Sequence, residues 1–161
     1  MWQETGFQKS ESDLPSAMKR LAVLMEEIKR RYETYSEDYL MYRPAPGKWS
    51  AKELLGHLID SAINNLKPFT EIQVLPQPYV VKAYHQNELV IVNQYQQLPV
   101  KHLLNFWTAL NHQIIYVVEN ISVSRLDYPV TPQYENGGMH SVGWIICDYV
   151  AHIEHHLGHL Q

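Results

Sequence analysis

The chain has 161 residues, 45% hydrophobic and 19% charged, with a formal net charge of −4. That length suits one domain with a sizeable core, read here as a single domain over 1–161. No Lys/Arg block interleaves with aromatic residues, which excludes an obvious nucleic-acid groove, and no apolar run approaches the roughly 20 residues that a membrane-spanning helix needs. The single cysteine, Cys147, rules out an intrachain disulfide and fits a reducing, cytoplasmic setting.

The first stretch, MWQETGFQKSESD, is polar and carries no apolar signal region; residues 1–12 read as a flexible N-terminal segment. A helix is expected over about 13–36, capped by Asp13, with Pro15 in its first turn and Leu21, Leu24, Met25 and Ile28 as its apolar stripe. The next begins in WSAKELLGHLIDSAINNL, where Ser50 and Glu53 have the spacing of a capping box, and runs to about Ile72. Pro68 is expected to kink or interrupt its last turns. A Pro-rich connection, LPQPYVVKAYHQ, follows, then a short helix at 86–96. The third long helix starts after Pro99 and ends near Asn120. SVSRLDYPVTPQYENGGMH reads as a loop, and the last helix starts near Ser141 and runs to the chain end. No segment shows period-2 alternation. Four amphipathic helices predict an all-α four-helix bundle, and the long connection between the second and third main helices argues against the simplest up-down order.

The end of the chain, DYVAHIEHHLGHLQ, holds His152, His155, His156 and His159. At about 100° per residue, Asp148, His155, His156 and His159 all fall within roughly 60° of His152. Ile145, Tyr149, Ile153, Leu157 and Leu160 form the adjoining apolar stripe. His152 and His156 are spaced i, i+4, so their rings can aim at one point, a common way for a helix to offer two nitrogens to a divalent ion. The run is not H-E-x-x-H, since position 153 is Ile and Glu154 points away from the column. Zincin-type proteolysis is not implied.

A third nitrogen has to come from another element. On the second long helix His57 shares a face with Asp60, Ser61 and Asn64, beside the apolar stripe of Leu54, Leu58, Ala62 and Phe69. If the two helices pack through their stripes, the polar columns meet at the rim of the core, and three imidazoles would hold an ion with positions left open. Each residue also has a plainer reading. His57 suits a satisfied, partly buried histidine, Asp60 and Asn64 suit ordinary surface, and His155 and His159 suit alternative ligands, outer hydrogen-bond donors or solvated side chains. Asp148 either orients a ligand histidine or satisfies local polarity. His85, His102, His112 and His140 lack a partner pattern and read as structural or exposed. Cys147 reads as a small core residue, and Trp49, Trp107 and Trp144 as packing residues. Tyr79 and Tyr84 lie in the connection, placed to cover the mouth of a site.

PGKWSAKELLGHLIDSAINN together with HSVGWIICDYVAHIEHHLGHL resembles the DinB superfamily, in particular its YfiT-like branch of metal-dependent hydrolases and thiol S-transferases. The resemblance runs from about Asp13 to the end. It implies a four-helix bundle, often a homodimer, with nickel or zinc held by three histidines. Carried onto this chain, the ligands match His57, His152 and His156, while Asp60 and Asn64 match polar positions of the second helix. His159 matches a position that is often Gln in the wider superfamily. Pro68 departs from the basic residue usual there. The implied activity is hydrolysis or transfer of a low-molecular-weight thiol to a small molecule, with Asp60 as the candidate catalytic base. A non-catalytic, stress-associated metal-binding protein is the competing class.

Overall fold

Residues 14–133 and 138–160 are described by the structure, a computed structural model. In chain order the elements are α1 (Leu14–Thr34), α2 (Glu37–Met41), α3 (Ala51–Glu71), β1 (Tyr79–Val81), α4 (Gln86–Val92), a 3₁₀ turn (Tyr95–Gln97), α5 (Val100–Glu119), α6 (Val123–Leu126), β2 (Pro129–Pro132), β3 (His140–Ser141) and α7 (Val142–Leu157). The expected flexible segment at 1–12 and the Asp13 cap lie outside the described residues.

Helices α1, α3, α5 and α7 build the bundle, each through a stripe at helical spacing. Met18, Leu21, Leu24, Met25, Ile28 and Tyr32 are buried on α1. Leu103, Leu104, Trp107, Ile114 and Val118 are buried on α5, and Ile145, Tyr149, Ile153 and Leu157 on α7. Each such large side chain contributes about 1.5–3 kcal/mol on burial, which offsets the entropy lost in ordering it. The main helix interfaces are α3–α5, α1–α7, α3–α7 and α1–α5. Around the bundle the order is therefore α1, α5, α3, α7, so the successive long helices α1 and α3 are not neighbours. This is the departure from up-down order that the long connection predicts.

Four expectations need correction. Pro68 does not interrupt α3, which runs on to Glu71 with Pro68 buried inside it. The missing Pro68 amide costs the Asn64 carbonyl one bond, only one turn remains, and that turn closes when the Ile72 amide donates to the Pro68 carbonyl. The last helix stops at Leu157 rather than the chain end; the amides of Gly158 and His159 donate to the carbonyls of Glu154 and His156, both at 3.1 Å, in a terminal turn. Arg31 donates to the Leu160 carbonyl at 3.0 Å and so takes up one of the last acceptors. The segments expected as connection and loop pair as a small sheet in the order β1-β2-β3. β1 runs parallel to β2, with Tyr79 opposite Val130, and β2 antiparallel to β3, with Val130 opposite His140. Strands of two to four residues are too short to display alternation.

The expected short helix at 86–96 is split. α4 ends at Val92, and Gln94 adopts a left-handed conformation (φ 53°) before the 3₁₀ turn. Both pieces lie on α3. No helix among the described residues is long and apolar enough to cross a membrane.

Candidate metal centre

The first three turns of α3 are enclosed, with every residue from 51 through 62 buried. α5 and α7 cover two sides, and α2, α4 and the 3₁₀ turn cover much of the rest. The helix start is pinned by the predicted capping box. Ser50 Oγ accepts the Glu53 amide at 3.1 Å, and Glu53 Oε2 accepts the Ser50 amide at 3.0 Å. Arg43 Nε donates to Glu53 Oε2 at 2.8 Å. Burial pushes the Glu53 carboxyl up, but the Arg43 and Ser50 bonds outweigh it and hold it below its usual range. Residues after α4 strap this end down. Ser50 Oγ donates to Gln96 Oε1 at 2.5 Å, and Gln96 Nε2 donates to the Met41 carbonyl at 2.9 Å.

Beside His57 the strap also lies close against α3. The Tyr95 ring lies on the backbone at Gly56, where a side-chain carbon would overlap it. The Tyr95 hydroxyl donates to Asp60 Oδ1 at 2.7 Å, and Asn93 Nδ2 donates to the same oxygen at 3.1 Å. Asp60 Oδ2 is buried without a hydrogen-bond partner. Burial raises the Asp60 carboxyl despite the two donors. Tyr84, from the connection, has its hydroxyl at Ser61 and near Asp60, and burial raises it to about 12.

The structure brings His57, His152 and His156 together. His57 Nε2 lies 3.0 Å from His152 Nε2 and 3.2 Å from His156 Nε2, and the three ligand atoms all lie within 4.8 Å of one another. His57 is 0% exposed, deeper than the expected place at the rim of the core; His152 and His156 are half-buried. Trp49 stacks on the His57 ring, with centroids 4.6 Å apart and planes at 30°, and also nears His156 at 6.5 Å. Burial lowers His57 to about 4. Burial, with the neighbouring His57, His155 and His159, lowers His156 to about 3. His152 is held well below its usual value by burial and then by His156, His57 and His155. All three are therefore neutral near pH 7, with lone pairs to share.

These residues fit a divalent ion better than they fit each other. One His57 Nε2 faces two other ring nitrogens, and a single N–H cannot satisfy both contacts. Nitrogens bound about 2.0–2.1 Å from one ion stand roughly 2.9–3.4 Å apart in octahedral or tetrahedral geometry. The observed 3.0 and 3.2 Å fall in that interval.

The remaining expected residues are placed less closely. Asn64 Nδ2 donates to the Asp60 carbonyl of its own helix at 2.8 Å. Asp148 is half-buried one turn before His152. His155 and His159 are exposed and face each other instead of joining the three inner rings. Glu154 turns away to Arg20, whose Nε donates to it at 3.0 Å. His85, His102 and His112 are exposed, and His140 stacks on Trp144. Tyr79 does not cover the site: its hydroxyl donates to Glu71 at 2.6 Å, at the other end of α3. Cys147 is half-buried rather than a core residue.

Sequence reading missed Trp49 as a site residue, and it missed Gly56, Asn93 and Tyr95 entirely. A glycine in a helix interior, next to a candidate ligand, is a usable sign of close backbone approach. Nothing local marks Tyr95.

Comparisons with known proteins bear on the family and the fold. The family model of the DinB superfamily matches residues 19–160. A protein of Halalkalibacterium halodurans named "Putative metal-dependent hydrolase" is 28% identical over 153 residues, 95% of this chain and 81% of that protein. The solved structure of YfiT from Bacillus subtilis, described as "a probable metal-dependent hydrolase with an unusual four-helix bundle topology", superposes with a TM-score of 0.84 at 14% identity, covering 98% of this chain and 89% of that one. The mycothiol-dependent maleylpyruvate isomerase superposes with a TM-score of 0.68 at 12% identity, covering 89% of this chain and 59% of that one. At such identities the two structural likenesses are likenesses of fold.

Proposed function

The chain belongs to the DinB superfamily, and on that premise we propose that it is a metal-dependent enzyme whose His57, His152 and His156 hold one divalent ion, nickel or zinc, and activate water or a low-molecular-weight thiol toward a small-molecule substrate. The observation that carries this reading is the convergence of three neutral imidazoles, with the Nε2 atoms of His152 and His156 at 3.0 and 3.2 Å from Nε2 of the buried His57. Among the described residues no fourth His, Cys, Asp or Glu joins that group. Three protein donors leave room for an exogenous ligand, whereas four would close a structural site. When bound, a divalent ion supplies Lewis acidity and lowers the pKa of a water or thiol in its open position.

The chain's own side chains do the rest. Trp49 covers His57 and keeps bulk water from one face of the site. Asp60 is the candidate proton acceptor: Tyr95 and Asn93 hold one oxygen, the other is free of hydrogen bonds, and burial lifts its pKa toward the range a base needs. Asn64 and Asp148 are candidate lining residues, while His155 and His159, also expected at the site, face water beside it. Asp60→Asn should lower turnover by about 100-fold or more with metal content unchanged. Unchanged turnover removes Asp60 from the reaction.

Hydrolysis and thiol transfer separate by assay. Metal-loaded protein is incubated with a panel of low-molecular-weight thiols and monochlorobimane, and then with p-nitrophenyl esters. Thiol conjugation without ester cleavage removes hydrolysis of such substrates, the converse removes transfer, and inactivity in both favours the non-catalytic metal-binding reading. We assign the protein to the cytoplasm on its single cysteine. A homodimer is supported by apolar side chains left exposed on α3 and α5, including Ile63 and Phe106, each 41% exposed. Light scattering that gives a monomer at micromolar concentration contradicts it.

A further inference from the structure

Outside the buried triad, the end of α7 presents a second pair of imidazoles. His155 Nε2 and His159 Nε2 are 3.2 Å apart, their ring centroids are separated by 4.6 Å, and both side chains are exposed. His159 lies beyond the helix, yet Gly158 keeps right-handed helical angles (φ −62°, ψ −20°), so the i, i+4 relation survives. A hydrogen bond between two solvated imidazoles has water as an equal competitor and gives little reason to hold this geometry. The same separation is the bite of two imidazoles on one ion, about 2.9–3.4 Å for bonds near 2.0–2.1 Å. No carboxylate joins the pair from within the turn, because Glu154 is engaged by Arg20. Nitrogen-only donors favour copper, nickel or zinc over magnesium or calcium.

We propose that His155 and His159 form a second, solvent-facing site for one late-transition divalent ion, separate from the buried triad. The two sites are distinct because the group of donors within mutual reach of the inner nitrogens holds only His57, His152 and His156 among the described residues. They are nonetheless neighbours: the His155 ring meets the His156 ring edge-to-face at 5.4 Å between centroids. With two donors instead of three, and open water around it, the outer site is the weaker.

The test is calorimetric titration of metal-free protein with Zn²⁺. Wild type should take two ions, one tight and one weaker. The double variant His155→Ala/His159→Ala should lose the weaker ion and keep the tight one, which also shows that it is folded. His57→Ala should do the reverse, and His102→Ala/His112→Ala, which removes two isolated exposed histidines, should keep both. A wild type that takes a single ion, or a His155/His159 variant that still takes two, overturns the proposal, as does loss of the weaker ion in the His102/His112 variant. If His57→Ala retains the tight ion, the inner assignment fails while the outer one is judged by its own variant.

Discussion

His152 and His156 face inward to His57, while His155 and His159, on the same turns of chain, face water. The two pairs at the end of the chain are built from one residue type at one spacing, and what differs is the surroundings, with His57 of α3 facing only the inner pair. Inside, burial brings His57 to about 4 and His156 to about 3, and a wall of fixed side chains holds the rings. Outside, the pair stands exposed on the last turns of the chain, with the His156 ring edge beside His155. An imidazole becomes a preorganised ligand through what covers it, and here the cover is Trp49 before α3, together with the strap of Asn93, Tyr95 and Gln96 that fixes the α3 turn carrying His57.

The comparison breaks first at His57. His57→Ala should weaken binding of the inner ion by more than about 100-fold, the range reached merely by disturbing outer partners of a ligand. His102→Ala should leave it unchanged, and metal content after dialysis reads both. Equal content in the two variants contradicts the inner assignment.

Acid should separate the clusters next. Unfolded histidine takes up its proton near 6.5, and folded His57 only near 4. Between those values the unfolded chain binds more protons, so the metal-free fold has its full stability above pH 6.5 and loses it as pH falls toward 4. His57 alone accounts for up to roughly 3 kcal/mol of that loss. Urea midpoints of metal-free protein from pH 7.5 to 4.5 should therefore fall steadily, and His57→Gln should flatten the slope. A flat wild-type profile speaks against buried neutral rings.

Smaller effects sharpen the contrast. Gly56→Ala drives a carbon into the Tyr95 ring and should cost about 1–3 kcal/mol, measured by chemical denaturation, with a weaker inner site alongside. The double variant His155→Ala/His159→Ala removes only exposed groups and should change stability by no more than about 0.5 kcal/mol. If the outer variant costs more than the Gly56 variant, the strap is not what holds the site.

Much of this was readable from residue order. The long helices announce themselves because burial selects every third or fourth side chain, and Ser50 with Glu53 marks the start of α3 within a residue. The i, i+4 pair on α7 and the matching face of α3 are local patterns, and the DinB-like motifs joined them. The depth of His57 was not legible, because it depends on residues 93–96 folding back across α3, a contact with no local signature. Trp49 has the look of a packing residue, and it does pack, but onto a ligand ring. The sheet escaped notice because its strands are at most four residues long, and β1 finds β2 only across more than 40 positions. The last helix was drawn too long because Gly158, a usable stop signal, was outweighed by the regular spacing of histidines around it.

X-ray absorption at the metal edge of zinc- or nickel-loaded protein lacking His155 and His159 examines the inner centre most directly. Three imidazole nitrogens plus exchangeable light-atom ligands are predicted. A shell closed by a fourth protein donor, or one with fewer than three imidazoles, would contradict an open three-histidine centre.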